Sequence, residues 1–136
     1  MTAPLRILVA DDEPLAREWV RRQLEADPDV ELVGEAEDGF AAVEAIERLE
    51  PDLVFLDVEM PGLDGFGVLE TLTRDPLPAV VFITAFDRYA AKAFDADALD
   101  YVVKPFSRAR FRKALQKAKA RHSGGAPGPD REALRS

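Results

Sequence analysis

Apolar runs in this chain come in two kinds. Leu53-Val54-Phe55-Leu56 is apolar at every position and runs directly into Asp57, followed by Val58-Glu59-Met60 and a break at Pro61-Gly62. An unbroken apolar run that ends at turn residues predicts a strand covered on both faces, as in a parallel sheet. Residues 5–10, 79–83 and 99–103 read in the same way, while residues 30–36 mix Val30, Leu32 and Val33 with Glu31 and Glu35 and suit an edge strand. Between these runs the apolar positions recur at helical spacing. The stripes are Leu15, Ala16, Trp19, Val20 and Leu24; Ala42, Val43, Ile46 and Leu49; Phe66, Leu69 and Leu72; and Phe111, Ala114, Leu115 and Ala118. Residues 88–94 form a short alanine-rich segment that also predicts a helix. Pro14, Asp27-Pro28-Asp29, Asp38-Gly39, Pro51-Asp52 and Asp75-Pro76-Leu77-Pro78 punctuate the pattern. Five strands alternating with five helices predict an α/β domain, a doubly wound five-stranded parallel sheet with helices on both faces.

Composition narrows the chemistry. A chain of 136 residues makes one domain with an adequate core. Residues 1–122 are read as that domain, and residues 123–136, which include Gly124-Gly125-Ala126-Pro127-Gly128-Pro129, as a flexible linker or tail. Without cysteine there are no disulfides or thiolate zinc sites, and a single histidine, His122, leaves little scope for a Ser-His-Asp triad. No signal peptide or membrane span is legible, so the expected location is the cytoplasm. A net charge of −8 argues against direct nucleic-acid binding by the domain. The charge is uneven: Lys104, Arg108, Arg110, Arg112, Lys113, Lys117, Lys119 and Arg121 follow one another with no acid between them.

In a parallel sheet the carboxyl ends of the strands share one edge, where ligands bind. Here that edge receives Asp11 and Asp12, Asp57, Thr84 with Ala85, and Lys104. Three carboxylates held together repel unless a cation lies between them, and a hard divalent ion such as Mg²⁺ suits oxygen ligands. A lysine and a hydroxyl beside them suit an anion. Together they describe a phosphoryl site in which a carboxylate can be the nucleophile.

The acidic pair Asp11-Asp12, the segment Leu56-Asp57-Val58-Glu59-Met60-Pro61-Gly62-Leu63-Asp64-Gly65, the pair Thr84-Ala85 and the run Lys104-Pro105-Phe106 occur in the order and spacing of a known family. From residue 5 to about 121 the chain resembles the receiver domain of a two-component response regulator. The runs Ile83-Thr84-Ala85-Phe86-Asp87 and Ala98-Leu99-Asp100-Tyr101-Val102-Val103-Lys104-Pro105-Phe106 are similar to the subgroup whose receivers precede a LytTR-type DNA-binding domain. The resemblance implies a flavodoxin-like (βα)5 fold with strand order 2-1-3-4-5. It implies that Asp57 accepts a phosphoryl group from a histidine kinase and self-dephosphorylates slowly, a signalling switch rather than an enzyme. It also implies Mg²⁺ on Asp12 and Asp57, on Asp11 directly or through water, and on the backbone carbonyl of Glu59. Lys104 is expected to pair with the phosphoryl oxygens, and the Lys104-Pro105 peptide to be cis. Thr84 and Tyr101 are the expected switch residues, which re-shape the surface of the fourth helix, fifth strand and last helix for a transcriptional effector.

Each residue also has a plainer reading. Asp11 and Asp12 can be helix caps, Asp57 a turn former, Lys104 a solvated loop residue and Tyr101 packing on a half-buried strand. Trp19 reads as a core anchor and His122 as a solvated terminus. The basic last helix can be a solvated face, a DNA contact, or half of a homodimer contact that meets Asp95, Asp97 and Asp100 of a second copy; the dimer is the favoured reading. Phe86, two residues after Thr84, and Glu59, two after Asp57, flank the path of hydrolytic water, and shielding by Phe86 is expected to prolong the phosphoryl group. The alternative reading from another class is an Mg²⁺-dependent phosphohydrolase of the haloacid-dehalogenase type. That family is expected to carry a second aspartate where Glu59 stands.

Overall fold

In the computed structural model, which describes residues 3–123, the alternation inside each apolar run decides which face of the sheet a residue joins. The chain runs β1 (Leu5–Ala10), α1 (Pro14–Glu25), β2 (Val30–Ala36), α2 (Gly39–Leu49), β3 (Leu53–Asp57), α3 (Gly65–Thr71), β4 (Ala79–Thr84), α4 (Ala90–Asp95), β5 (Asp100–Val103) and α5 (Arg108–Ser123). All strand pairs are parallel, in the order β2-β1-β3-β4-β5. Leu8, Ala10, Val54, Leu56, Val80 and Phe82 face one core, shared with α2, α3 and Ala93 of α4. Ile7, Val9, Leu53, Phe55, Val81 and Ile83 face a second core, closed by Val20 and Leu24 of α1 and the stripe Phe111, Ala114, Leu115 and Ala118 of α5. Successive strand residues point to opposite faces, so a run buried on both sides must be apolar throughout.

The predicted edge strand, β2, is at the edge. Trp19 anchors α1 against α5: its ring meets Phe106 and Phe111 edge-on, each with centroids 5.2 Å apart. Four details depart from the sequence reading. Leu15 belongs to no buried stripe and is 78% exposed, in the first turn of α1, whose buried residues are Val20 and Leu24. Asp38-Gly39 is a helix start rather than a free turn: the Asp38 carboxylate accepts from the Ala41 N–H at 2.8 Å, and Gly39 is already helical. The fourth helix begins at Ala90, leaving Arg88 and Tyr89 in the preceding loop, and its Phe94 is 82% exposed. Strand β5 starts at Asp100. The predicted linker lies outside the described residues apart from Ser123, which ends α5. Among the described residues no helix is long and apolar enough to cross a membrane.

Candidate functional site

Parallel pairing carries the ends of β1, β3, β4 and β5 to one edge. Ala10 pairs with Leu56, Asp57 with Ile83, and Thr84 with Val103, so Asp11, Asp57, Thr84 and Lys104 become neighbours although they are far apart in sequence. The loop after β3 is shaped by two glycines. Gly62 has φ +79°, the left-handed conformation that a side chain disfavours. A Cβ on Gly65 would lie 2.6 Å from the Asp57 carbonyl oxygen, so α3 approaches the end of β3 as closely as it does only with glycine there. Asp64 caps α3 by accepting from the Gly67 N–H at 2.7 Å.

Asp57 and Asp11 are buried and Asp12 is exposed. With Glu13 they form a cluster in which each carboxylate offers an oxygen within 4.8 Å of the others. Four carboxylate oxygens at that separation are a hard donor set that fits Mg²⁺. Asp11 is not a side-chain cap of α1 itself; its Oδ1 accepts from the Glu13 N–H at 2.9 Å, and Glu13 occupies the cap position. The Asp57 Oδ1 accepts from the Glu59 N–H at 3.2 Å. Burial pushes the Asp57 carboxyl up; the positive charge of Lys104 opposes that, the nearby Asp11 adds to it, and the pKa reaches about 7.

Lys104 Nζ lies 2.7 Å from Asp11 Oδ2, 2.7 Å from Glu13 Oε1 and 3.4 Å from Asp57 Oδ2. Burial works against its charge, but the bonds to Asp11 and Glu13 and the field of Asp57 prevail and hold its pKa above the usual lysine value. The Lys104-Pro105 peptide is cis, as is Asp75-Pro76, which the sequence reading did not anticipate.

On the far side of the cleft, Thr84 is fully buried, and its Oγ1 accepts from the Phe86 N–H at 3.3 Å. Ala85 is exposed in the loop between them. The Tyr101 hydroxyl donates to the Phe86 carbonyl, so both expected switch residues hold the same loop residue. Burial raises the Tyr101 pKa. The Glu59 side chain, expected to flank the path of hydrolytic water, is engaged elsewhere: its Oε2 accepts from Arg88 Nη2 at 3.0 Å and from the Tyr89 hydroxyl at 2.8 Å. Glu13, Arg88 and Tyr89 were absent from the sequence-based site. Glu13 was legible as a third acid beside Asp11 and Asp12. Arg88 and Tyr89 carry no local signal, because their partner is on another loop.

The charge argument for a dimer also changes. The Asp100 carboxylate takes a two-pronged bond from Arg110, at 2.9 and 2.7 Å, and Lys117 lies 3.4 Å away, all in one chain. Lys119 likewise pairs with Asp27 and Asp29. Much of the basic face of α5 is therefore satisfied internally.

A profile of the response regulator receiver domain matches residues 7–116. The chain belongs to that family. The receiver is 41% identical over 119 residues to the transcriptional regulatory protein BtsR of Escherichia coli, covering 88% of this chain and 50% of BtsR. It thus spans about half the length of the curated relatives it matches. Among solved structures, the receiver domain of the response regulator NarL from Mycobacterium tuberculosis is 40% identical, with a TM-score of 0.77 and coverage of 88% of this chain and 100% of that one. The response regulatory domain of mrkE from Klebsiella pneumoniae is 29% identical with a TM-score of 0.81, covering 88% and 98%. The (βα)5 fold with order 2-1-3-4-5 and the two-component signalling class follow directly. As a receiver the chain is a signalling domain, and the haloacid-dehalogenase alternative finds no support in the match.

Proposed function

We propose that Asp57 is the phosphoacceptor of this receiver and that a histidine kinase is its donor. The observation that carries this reading is the position of the buried Asp57 carboxylate, within reach of Asp11, Asp12 and Glu13 and 3.4 Å from Lys104, which also contacts Asp11 and Glu13. An Asp57 oxygen attacks the phosphohistidine phosphorus; the P–O bond forms, the P–N bond breaks, and the imidazole leaves with the electron pair. Asp11, Asp12 and Asp57 with the Glu59 carbonyl would hold Mg²⁺, whose charge offsets the repulsion between these carboxylates and the incoming phosphoryl oxygens. Lys104 turns from the carboxylates to the transferred group and neutralises it. Thr84, released from Phe86, donates its hydroxyl to a phosphoryl oxygen, and Tyr101 follows the loop inward. Phe86 covers the acyl phosphate and slows its hydrolysis. The proposed compartment is the cytoplasm, a reading supported by the two-component signalling class.

The output is a surface change on α4, β5 and α5 that controls a transcriptional effector beyond residue 123, with this domain itself making no nucleic-acid contact. The runs around Thr84 and Lys104 support a LytTR-type effector. A NarL- or LuxR-type effector is a second reading, favoured by the 40% identity to the NarL receiver. Phe94 and the 37%-exposed Val103 support a homodimer contact on the same face. Incubation with acetyl phosphate and Mg²⁺, followed by mass analysis, tests the central reading. One phosphoryl adduct on the wild type and none on Asp57→Asn is expected; an adduct that survives Asp57→Asn overturns it.

A further inference from the structure

The loop between β4 and α4 is pinned at three points. Thr84 holds the Phe86 N–H, Tyr101 holds the Phe86 carbonyl, and Glu59 holds the side chains of Arg88 and Tyr89. The first two anchors are the expected switch residues. The third joins this loop to the loop after β3, directly beside the phosphoacceptor. It is a closed triangle: Arg88 Nη2 also donates to the Tyr89 hydroxyl at 3.0 Å, and that hydroxyl donates onward to Glu59. The Arg88 guanidinium is further held over the Phe86 ring at 4.2 Å and the Tyr89 ring at 4.8 Å. A planar cation fixed by a carboxylate and two rings is well placed to keep a loop in one position.

We propose that Glu59, Arg88 and Tyr89 form a clasp that holds the β4–α4 loop in its unphosphorylated position, with Arg88 as its central positioning residue. The inference rests on Asp57 being the phosphoacceptor. Glu59 is two residues from Asp57, and its N–H is bonded to the Asp57 carboxylate. A phosphoryl group there places new negative charge beside the Glu59 carboxylate and draws Thr84 away from Phe86. Two of the three anchors then weaken together, and the start of α4 is released. The clasp thus opposes the switch at rest and yields to it on phosphorylation.

Simple charge and the clasp make opposite demands on Arg88. Removing a cation near an anion site should weaken anion binding, whereas removing a restraint on the competent arrangement should strengthen it. The experiment measures beryllofluoride affinity, with Mg²⁺, for the full chain and its Arg88→Ala, Glu59→Gln and doubly substituted forms, with Asp57→Asn as control. Arg88→Ala and Glu59→Gln are each expected to bind about two- to five-fold more tightly, as suits an exposed ion pair. The double variant should gain no more than the better single one. Tyr89→Phe, which keeps the ring and removes the bridging hydroxyl, should shift affinity in the same direction and serves if Arg88→Ala folds poorly. Unchanged or weaker binding by the Arg88 and Tyr89 variants, or additive effects, overturns the clasp while leaving the phosphoacceptor intact. Wild-type binding that is absent, or that Asp57→Asn retains, overturns both.

Discussion

Lys104 and Asp11 are in direct contact, Nζ to Oδ2 at 2.7 Å, closer than the same lysine is to Asp57 at 3.4 Å. The lysine that is expected to meet a phosphoryl group therefore rests on a carboxylate that a metal ion would use. Mg²⁺ held at Asp11 would have to compete with the lysine for that carboxylate. Lys104→Ala is expected to bind Mg²⁺ about three- to ten-fold more tightly by titration calorimetry, because a like charge has left the site. The same variant should lose phosphorylation-dependent changes at Thr84 and Tyr101. Weaker Mg²⁺ binding by Lys104→Ala would contradict the competition.

The raised pKa of Asp57 has a stability consequence in metal-free protein. Its folded value is about 7 against 3.8 for the free group, chiefly through burial. Well below pH 3.8 the carboxyl is protonated in both states and carries no penalty. Between pH 3.8 and about 7 the unfolded chain has released this proton while the folded form keeps it, so stability falls across that window and levels off once the folded carboxyl has ionised as well. Asp57→Asn is expected to remove this dependence and to be more stable than wild type by on the order of 1–3 kcal/mol at pH 8 in EDTA. Denaturant melts at pH 5 and pH 8 measure it, and equal pH dependence in the two proteins would refute it.

Phe86 is only partly covered, 36% exposed, with the Arg88 guanidinium stacked on its ring. The proposed shielding of an acyl phosphate by Phe86 predicts that Phe86→Ala speeds autodephosphorylation by about two- to five-fold, a change of less than one decade in rate. The decay of labelled phosphoprotein after donor removal gives the rate directly. No change would leave shielding without support.

Asp100 shows where the charge pattern along the chain misleads. In sequence it looked available to a second copy; in the fold it belongs to Arg110 and Lys117. Burial alone would raise its pKa, but the Arg110 bonds, the Tyr101 N–H and the two cations lower it. Its stabilisation is present above the unfolded carboxylate pKa and is lost as pH falls below it. Asp100→Asn is expected to cost about 1–2 kcal/mol at pH 7 by thermal or urea unfolding. If a homodimer forms, Phe94 is the better candidate for its contact: Phe94→Glu should abolish any beryllofluoride-induced increase in sedimentation coefficient while leaving phosphorylation intact.

Phe111 joins both halves of the second core, stacked 5.0 Å from Phe55 and edge-on to Trp19. Phe111→Ala is expected to destabilise the domain by about 3–5 kcal/mol, since the surrounding rings cannot close over the space. A loss under 1 kcal/mol would mean that the two helices repack.

How much of this was legible in the chain can be judged residue by residue. The fold was readable because short apolar runs bounded by turn residues alternate with helical stripes: Leu53-Val54-Phe55-Leu56 is apolar at each step because its two parities part to two cores. The edge position of β2 showed in Glu31 and Glu35 for the same reason. The site at the strand ends was readable because secondary structure carries Asp11, Asp57, Thr84 and Lys104 to one edge whatever the loops do. The exposure of Leu15 and Phe94 was not readable, since periodicity alone does not say which apolar positions of a helix find a partner. Tertiary structure alone decided the partners of the long charged side chains. Glu59 takes Arg88 and Tyr89, Asp100 takes Arg110, and Lys104 takes Asp11 and Glu13 as well as Asp57. A flexible side chain on a loop can reach several partners at nearly equal energy. Which one it meets depends on how neighbouring loops are packed, and no local pattern in the sequence encodes that.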